Sequence, residues 1–347
     1  MVKKPWPVWD VTFSPDGRWL AAARGYYAFH GESPWGGEGE VRVWRVDDWK
    51  QQDGFSGLFT NNAQAVAFTA DGKTLVAASD KYIRETRGSP RDGNVVYTWA
   101  VPDGTLVETL TLNDRFEDGV SRGAGSVRAM ALNPRGELIA LSRDGSVGIV
   151  LERKTRKRIY DLNWDSSTPQ SIAFSPDGKI LVSLGYRKPI VQPYEAATGK
   201  ELPRFDLKVG EPLSVCYSPD GKQFAVGMAD GSVALLAGDL TKQLRSLEVS
   251  TEKERVLALA LAYAANADLL AAAIHSRVRL FEASSGKQLR EWGKEELGVS
   301  SVALSPDGKL LAVGYGGVYV YGVKGYPRSG YVKIWDTATG QLVKKLD

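Results

Sequence analysis

A four-residue turn repeated along the chain constrains its fold more than any other feature. Plain copies read Ser14-Pro15-Asp16-Gly17, Ser175-Pro176-Asp177-Gly178, Ser218-Pro219-Asp220-Gly221 and Ser305-Pro306-Asp307-Gly308. Thr69-Ala70-Asp71-Gly72 and Asn133-Pro134-Arg135-Gly136 are close variants. Ala264-Ala265-Asn266-Ala267 is a decayed copy, identified by the apolar runs Val256 to Tyr263 before it and Leu269 to Ile274 after it. Serine can bond back into the turn, and proline presets φ. Aspartate tolerates the bridge region, and glycine accepts a positive φ where the chain re-enters a sheet.

The copies start at 14, 69, 133, 175, 218, 264 and 305, in steps of 55, 64, 42, 43, 46 and 41. The segment 171–207 shows what one unit contains. Four short strands, Ser171 to Phe174, Lys179 to Leu184, Ile190 to Tyr194 and Glu201 to Leu207, are joined by tight turns. We label them a to d. A repeat of about 42 residues with four strands is the signature of a propeller blade. The expected fold is all-β, a seven-bladed β-propeller with four antiparallel strands per blade. A single propeller is expected over 1–347, with blades at 8–60, 65–112, 126–164, 170–208, 212–249, 255–292 and 299–347. The strand a segments Val8 to Phe13, Val66 to Phe68, Ile172 to Phe174 and Val302 to Leu304 read as strands buried on both faces.

Other turns repeat as well. Arg143-Asp144-Gly145-Ser146 and Ala229-Asp230-Gly231-Ser232 are b–c hairpin turns. Ala197-Thr198-Gly199-Lys200, Ser284-Ser285-Gly286-Lys287 and Ala338-Thr339-Gly340-Gln341 are c–d turns. Blade 1 is expected to close with a strand d at Phe55 to Thr60, and blade 7 with Gln341 to Leu346.

These motifs resemble the WD-repeat propellers: F-S-P-D-G-K-x-L-A, then D-G-x-V, then V-K-I-W-D-x-x-T-G-x-x-L, best matched at 302–313 and 331–346. The chain looks like a divergent, prokaryotic-like member. A Trp-Asp pair survives in strand c only at Trp335-Asp336, and no Gly-His pair precedes a strand a. The family's hydrogen-bond tetrad is therefore incomplete in every blade. WD-repeat proteins commonly complete the last blade with an N-terminal strand. Here only Met1 to Pro7 precede strand a of blade 1, and Pro5 and Pro7 are poor ladder donors. Each blade is expected to be contiguous, with blades 1 and 7 meeting through side-chain packing alone.

Chemistry-bearing residues are few. With 44 basic against 41 acidic side chains, the net charge of +3 gives no case for duplex nucleic acid or a membrane surface. The start lacks the apolar core of a signal peptide and no run spans a bilayer, so a cytoplasmic location is expected. Cys216 reads as a small buried residue of a strand a, and His275 as a turn residue at a blade rim rather than part of a Ser/His/Asp set. His30 lies in the blade 1 insertion, where it could touch a ligand. No metal or other cofactor is expected. Two histidines and one distant cysteine do not make a zinc site, and Asn113, Asp114, Glu117 and Asp118 lack EF-hand spacing. The glycine-rich segments 36–39 and 314–317 resemble phosphate loops in composition only.

The informative feature is where extra length sits. The b–c connections of blades 7, 1 and 2 carry 17, 17 and 16 residues (314–330, 24–40, 79–94), and a long d–a loop follows at 113–125. In a propeller all of these emerge on one face. They carry Tyr26, Tyr27, Phe29, Trp35, Tyr82, Arg84, Arg87, Arg91, Tyr315, Tyr319, Tyr321, Tyr326 and Arg328, residue types that anchor interfaces. The first functional expectation is a non-enzymatic propeller binding another protein or peptide there, as a module of a larger protein or complex. Three alternatives stand beside it. The insertions could simply extend the b–c hairpins and bury their aromatics. The central pocket could hold an enzyme site or a small ligand such as a carbohydrate. Or the loops could bind single-stranded nucleic acid, against which the insertion charges argue: −2 over 24–40 and +2 over 314–330. Replacing Gly178 with Val should cost more than about 1 kcal/mol through φ strain, and urea melts of the variant measure it.

Overall fold

A computed structural model describes residues 6–26, 38–55, 59, 62–81, 93–112, 127–143, 148–162, 169–185, 188–208, 210–249, 259–293, 295–316 and 329–347. These form seven four-stranded antiparallel sheets, each made of consecutive strands. Blade 1 holds β1 (Val8–Phe13), β2 (Trp19–Tyr26), β3 (Glu38–Arg45) and β4 (Gln51–Gln52). Blade 2 holds β5 (Ala63–Phe68), β6 (Thr74–Lys81), β7 (Gly93–Ala100) and β8 (Leu106–Leu112). Blade 3 holds β9 (Val127–Leu132), β10 (Leu138–Arg143), β11 (Gly148–Glu152) and β12 (Lys157–Leu162). Blade 4 holds β13 (Pro169–Phe174), β14 (Ile180–Gly185), β15 (Ile190–Glu195) and β16 (Phe205–Asp206). Blade 5 holds β17 (Pro212–Tyr217), β18 (Gln223–Met228), β19 (Ser232–Ala237) and β20 (Gln243–Glu248). Blade 6 holds β21 (Leu259–Tyr263), β22 (Leu269–Ile274), β23 (Arg277–Glu282) and β24 (Gln288–Trp292). Blade 7 holds β25 (Val299–Leu304), β26 (Leu310–Tyr315), β27 (Tyr331–Asp336) and β28 (Leu342–Leu346). Among the described residues there is no helix, and so none long and apolar enough to cross a membrane.

The repeated turn does what its residues predict. Ser175 Oγ donates to Asp177 Oδ1 at 2.6 Å and accepts the Ile180 amide at 3.0 Å, while Asp177 Oδ1 accepts the Lys179 amide at 3.0 Å. The Ser175 hydroxyl and the Lys179 amide hold the Asp177 carboxyl below its usual range. Gly178 sits at φ +72°, where a β-carbon would also lie 3.2 Å from Pro134 Cδ of the blade before. The same contact runs across the ring's junction, since a β-carbon on Gly17 would lie 3.4 Å from Pro306 Cδ. At four of the seven junctions the proline of one turn packs on the glycine of the next.

Closure follows from the innermost strands, each beside the next, with β1 against β25. Blade 7 ends in β28, so no N-terminal strand replaces Gln341 to Leu346. The junction is not side-chain packing alone, because the free inner edges carry amides that need acceptors. Val8 makes a parallel bridge with Gly316, and Ser300 Oγ donates to the Val8 carbonyl at 2.6 Å.

In three blades the third residue before the end of strand a accepts, through its side chain, an amide from the following blade. Ser301 Oγ accepts from the Val11 amide at 3.2 Å, and Ser171 Oγ from the Val215 amide at 3.3 Å. In blade 1 that residue is Asp10, on the wall of the central channel. Its Oδ2 accepts the Val66 amide at 3.0 Å, and its Oδ1 accepts the Val11 amide at 2.9 Å and the Ser301 hydroxyl at 2.8 Å. One carboxylate therefore ties blades 7, 1 and 2.

Three expectations are corrected. Strand d of blade 1 is Gln51–Gln52, not Phe55 to Thr60. The tight c–d turn brings the chain back earlier, and Phe55 and Phe59 instead pack against Trp99 and Tyr97 of blade 2, with ring centroids 6.4 and 4.8 Å apart. Strand d of blade 4 shrinks to Phe205–Asp206 plus a bridge between Glu201 and Tyr194, because Pro203 interrupts the ladder. The b and c strands of blades 1 and 2 run to eight residues each, so the ends of those insertions are hairpin arms rather than loop.

Burial pushes the Asp10 carboxyl up to about 6, outweighing its three donors. Between about pH 4 and pH 6 the folded chain holds a proton there that the unfolded chain releases, so this group's contribution to stability falls as pH rises. The decline is at most about 3 kcal/mol, less whatever the channel water screens. Urea melts from about pH 4 to pH 7 should show Asp10→Asn gaining on the wild type as pH rises. A constant difference would refute the assignment.

Candidate functional site

The face that carries the long b–c connections is built on residues at their bases. In blade 1 the hairpin continues through the pairs Arg24–Glu40, Gly25–Gly39 and Tyr26–Glu38. In blade 2 it continues through Asp80–Asn94 and Lys81–Gly93. In blade 7 the last pair is Tyr315–Tyr331.

Arg24 locks two of these bases together. Only 1% of it is exposed. Its Nη2 donates to the carbonyl of Trp6 at 3.1 Å and to that of Gly330 at 3.4 Å, and its Nη1 lies 3.5 Å from Glu40 Oε1. Glu40 also pairs with Arg42 Nε at 2.8 Å, and Arg42 reaches the Asp347 carbonyl. Burial, and then the charge of Arg42, push the Arg24 guanidinium down to about 10, with Glu40 and Asp347 pulling the other way. The neighbouring backbones leave no space for larger residues. A β-carbon on Gly25 would fall 2.4 Å from Asn62 Cα, and one on Gly330 would fall 2.7 Å from Pro7 Cα. Ser79 Oγ donates to the Asn62 carbonyl at 3.0 Å, which extends the contact to blade 2.

On blade 7 the base is aromatic. Tyr315 and Tyr331 lie 4.9 Å apart between ring centroids, and the Tyr331 hydroxyl donates to Glu295 Oε2 at 3.1 Å. Glu295 holds Lys333 at 2.7 Å, and the Lys345 ammonium stands 4.3 Å from the Tyr331 ring. Burial, and then Glu295, raise the Tyr331 hydroxyl to about 12.

Of the residues expected to make the interface, Tyr26 ends β2 opposite Glu38. Tyr27, Phe29, Trp35, Tyr82, Arg84, Arg87, Arg91, Tyr319, Tyr321, Tyr326 and Arg328 lie outside the described residues, as do His30 and the segment 113–125. Tyr315 is corrected: it is 1% exposed and belongs to the core between blades 6 and 7, so it anchors the base and offers no surface. Three glycines of the glycine-rich segments lie among the described residues. Gly39 and Gly314 are strand residues, and the Gly316 amide donates to the Gly298 carbonyl at 3.0 Å. His275 occupies the two-residue b–c turn of blade 6 at φ 52°, as a rim histidine should. Cys216 is half-buried against the core between blades 5 and 6, and burial raises its thiol.

Along the seven innermost strands Asp10 is the one carboxylate, and both its oxygens are taken. Sequence reasoning singled out neither Asp10 nor Arg24. The available signals were an acid inside an otherwise apolar strand a and an arginine at the first position of an insertion.

Comparison with known proteins gives repeat-level matches along the chain. The profile described as WD domain, G-beta repeat matches residues 3–45, 208–235 and 286–336. The anaphase-promoting complex subunit 4 WD40 domain profile matches 130–215. The human U3 small nucleolar RNA-associated protein 4 homolog is 26% identical over 241 residues, which is 66% of this chain and 32% of that protein. A WD repeat-containing protein of Synechocystis is 27% identical over 50% of this chain and 42% of its own length. WD repeat-containing protein VIP3 of Arabidopsis thaliana is 30% identical over 42% of this chain and 50% of its own. The matched region thus spans half or less of each of these relatives.

Arg24→Ala should destabilise the fold by about 3–5 kcal/mol, because it leaves Glu40 and two buried carbonyls short of a partner. Arg24→Lys should recover less than half of that, since an ammonium cannot fork to both carbonyls. Urea melts of the two variants measure both.

Proposed function

Because the chain belongs to the WD-repeat β-propeller family, we propose that it is a non-enzymatic scaffold that binds a protein or peptide on the b–c face over blades 7, 1 and 2. The binding residues in this reading are Tyr26, Tyr27, Phe29, Trp35, Tyr82, Arg84, Arg87, Arg91, Tyr319, Tyr321, Tyr326 and Arg328. The family is typical of interaction scaffolds, and fold alone names no partner.

The observation that carries the reading is the way the hairpin bases are fastened. Arg24 joins blade 1 to the base of the blade 7 insertion, and Gly25 lies against Asn62 at the entry to blade 2. Rigid bases lower the ordering cost of whatever the hairpins present to a partner. A cytoplasmic location and membership of a larger assembly are part of the same reading. The U3-associated relative carries RNA in its name, which keeps single-stranded nucleic acid as a second reading.

Affinity capture from the source cells, with wild type against a variant carrying Tyr26→Ala, Arg87→Ala and Tyr319→Ala, tests the proposal. Defined proteins should be retained by the wild type and lost from a triple variant that melts like it. Equal retention by both would reject this face, and salt-sensitive retention of single-stranded oligonucleotide would favour the second reading.

A further inference from the structure

Blade 3 departs from the commonest residue at two turn positions, and each departure places an arginine on the rim opposite the b–c face. Five blades place Asp at the third position of the a–b turn: Asp16, Asp71, Asp177, Asp220 and Asp307. There it accepts a turn amide, as Asp220 does from Lys222 at 3.0 Å. Blade 3 has Arg135. The turn survives because Asn133 Oδ1 accepts both amides, Glu137 at 2.8 Å and Leu138 at 2.9 Å, doing the work of serine and aspartate together. Position 135 is thereby free to carry a cation. In the c–d turn, the left-handed position is Gly104, Gly199, Gly286 or Gly340 in four blades, but Arg156 at φ 62° in blade 3. A side chain there strains the backbone, and such departures from local rules concentrate where function requires them.

Arg156 lines a cleft of about 360 Å³ between blades 2 and 3, together with Val107, Glu108, Gly136, Glu137, Arg153 and Lys154, and Arg135 directly precedes Gly136. Arg153 is held in it, donating to the Gly136 carbonyl at 3.4 Å and to Thr74 Oγ1 at 3.3 Å. Arg156 pairs with Glu108 at 2.6 Å, Arg158 pairs with Asp161, and Glu152 accepts the Thr155 hydroxyl. Arg135, Lys154 and Lys157 are exposed and make no ion pair among the described residues. Exposed apolar residues sit on the outer strands of both blades, and of these Val107 lines the cleft. Leu106 and Val107 on β8 are 46% and 59% exposed, and Ile159 on β12 is 41% exposed.

We propose that this cleft docks an acidic peptide segment of a partner protein, its carboxylates on Arg135, Lys154 and Lys157 and its apolar residues on Val107 and Ile159. Charge complementarity selects the acid, and exposed apolar residues on two neighbouring outer strands suit a peptide that alternates acidic and apolar residues. A nucleic-acid strand fits less well. The lining has no aromatic ring on which bases could stack. The site is on the opposite rim from the b–c hairpins and does not depend on their role.

Fluorescence anisotropy with a labelled peptide of alternating acidic and leucine residues tests it. The wild type should bind, and the variant Arg135→Ala/Lys154→Ala/Lys157→Ala should bind at least about tenfold more weakly. Lys179→Ala/Lys222→Ala/Lys309→Ala removes equal charge from the same rim on other blades and should change affinity less than about twofold. A peptide with serine in place of leucine should bind more weakly than the leucine peptide. Absence of wild-type binding, equal losses in the two triple variants, or equal affinity for the serine peptide would overturn the proposal. So would an oligothymidylate of matched charge that binds as tightly as the peptide.

Discussion

A four-stranded blade has two apolar faces and can cover neither by itself, so the whole molecule rests on each blade finding a neighbour on both sides. Alanine makes the approach close. Ala21, Ala22 and Ala23 in β2, Ala77 and Ala78 in β6 and Ala271 to Ala273 in β22 are all buried between sheets. Where a chain of blades must meet its own beginning, apolar packing leaves the inner-edge amides of two strands unsatisfied. This protein meets that need with polar side chains. Ser300 and Ser301 of the last blade reach into the first, and Asp10 of the first reaches into the second. Placing a carboxylate at such a site sets its burial against the three donors that stabilise its charge.

The same economy governs the turns. In blade 3 hydrogen-bonding capacity matters more than residue identity, and Asn133 supplies from one side chain what serine and aspartate supply in other a–b turns. That substitution allows one blade to differ in surface charge without losing its turn. The c–d turns show the matching freedom in the backbone. Trp49, Arg156 and Leu240 occupy a left-handed position that glycine fills in the other four blades. Leu240 is buried in the core between blades 4 and 5, so packing offsets its strain. Arg156 is exposed and has only Glu108 to offset its own.

Function in such a ring is carried by what projects from a stiff frame. The b–c rim over blades 7, 1 and 2 has bases joined by a desolvated arginine and by glycines too close to their neighbours for a side chain. The opposite rim at blades 2 and 3 has a basic cleft between two sheet edges.

The turn repeat, its spacing and the alternation of apolar runs were enough to determine seven blades of four strands, their order and the a–b turn glycines at φ > 0, because these are local consequences of backbone sterics and burial. Most strand limits followed for the same reason. Where they did not, at Phe55 and around Pro203, a contact with another blade or a missing amide decided the outcome. The candidate interface was legible as length and composition in three b–c connections, yet Tyr315 shows the limit of that signal, since a tyrosine at the edge of an insertion can equally be core. Only the tertiary structure assigned Asp10 its three donors, Arg24 its two carbonyls and Glu40, and Arg156 a cleft shared with Glu108. Each of those groupings joins residues far apart in sequence, and neither spacing nor periodicity encodes which side chains a closing ring brings face to face.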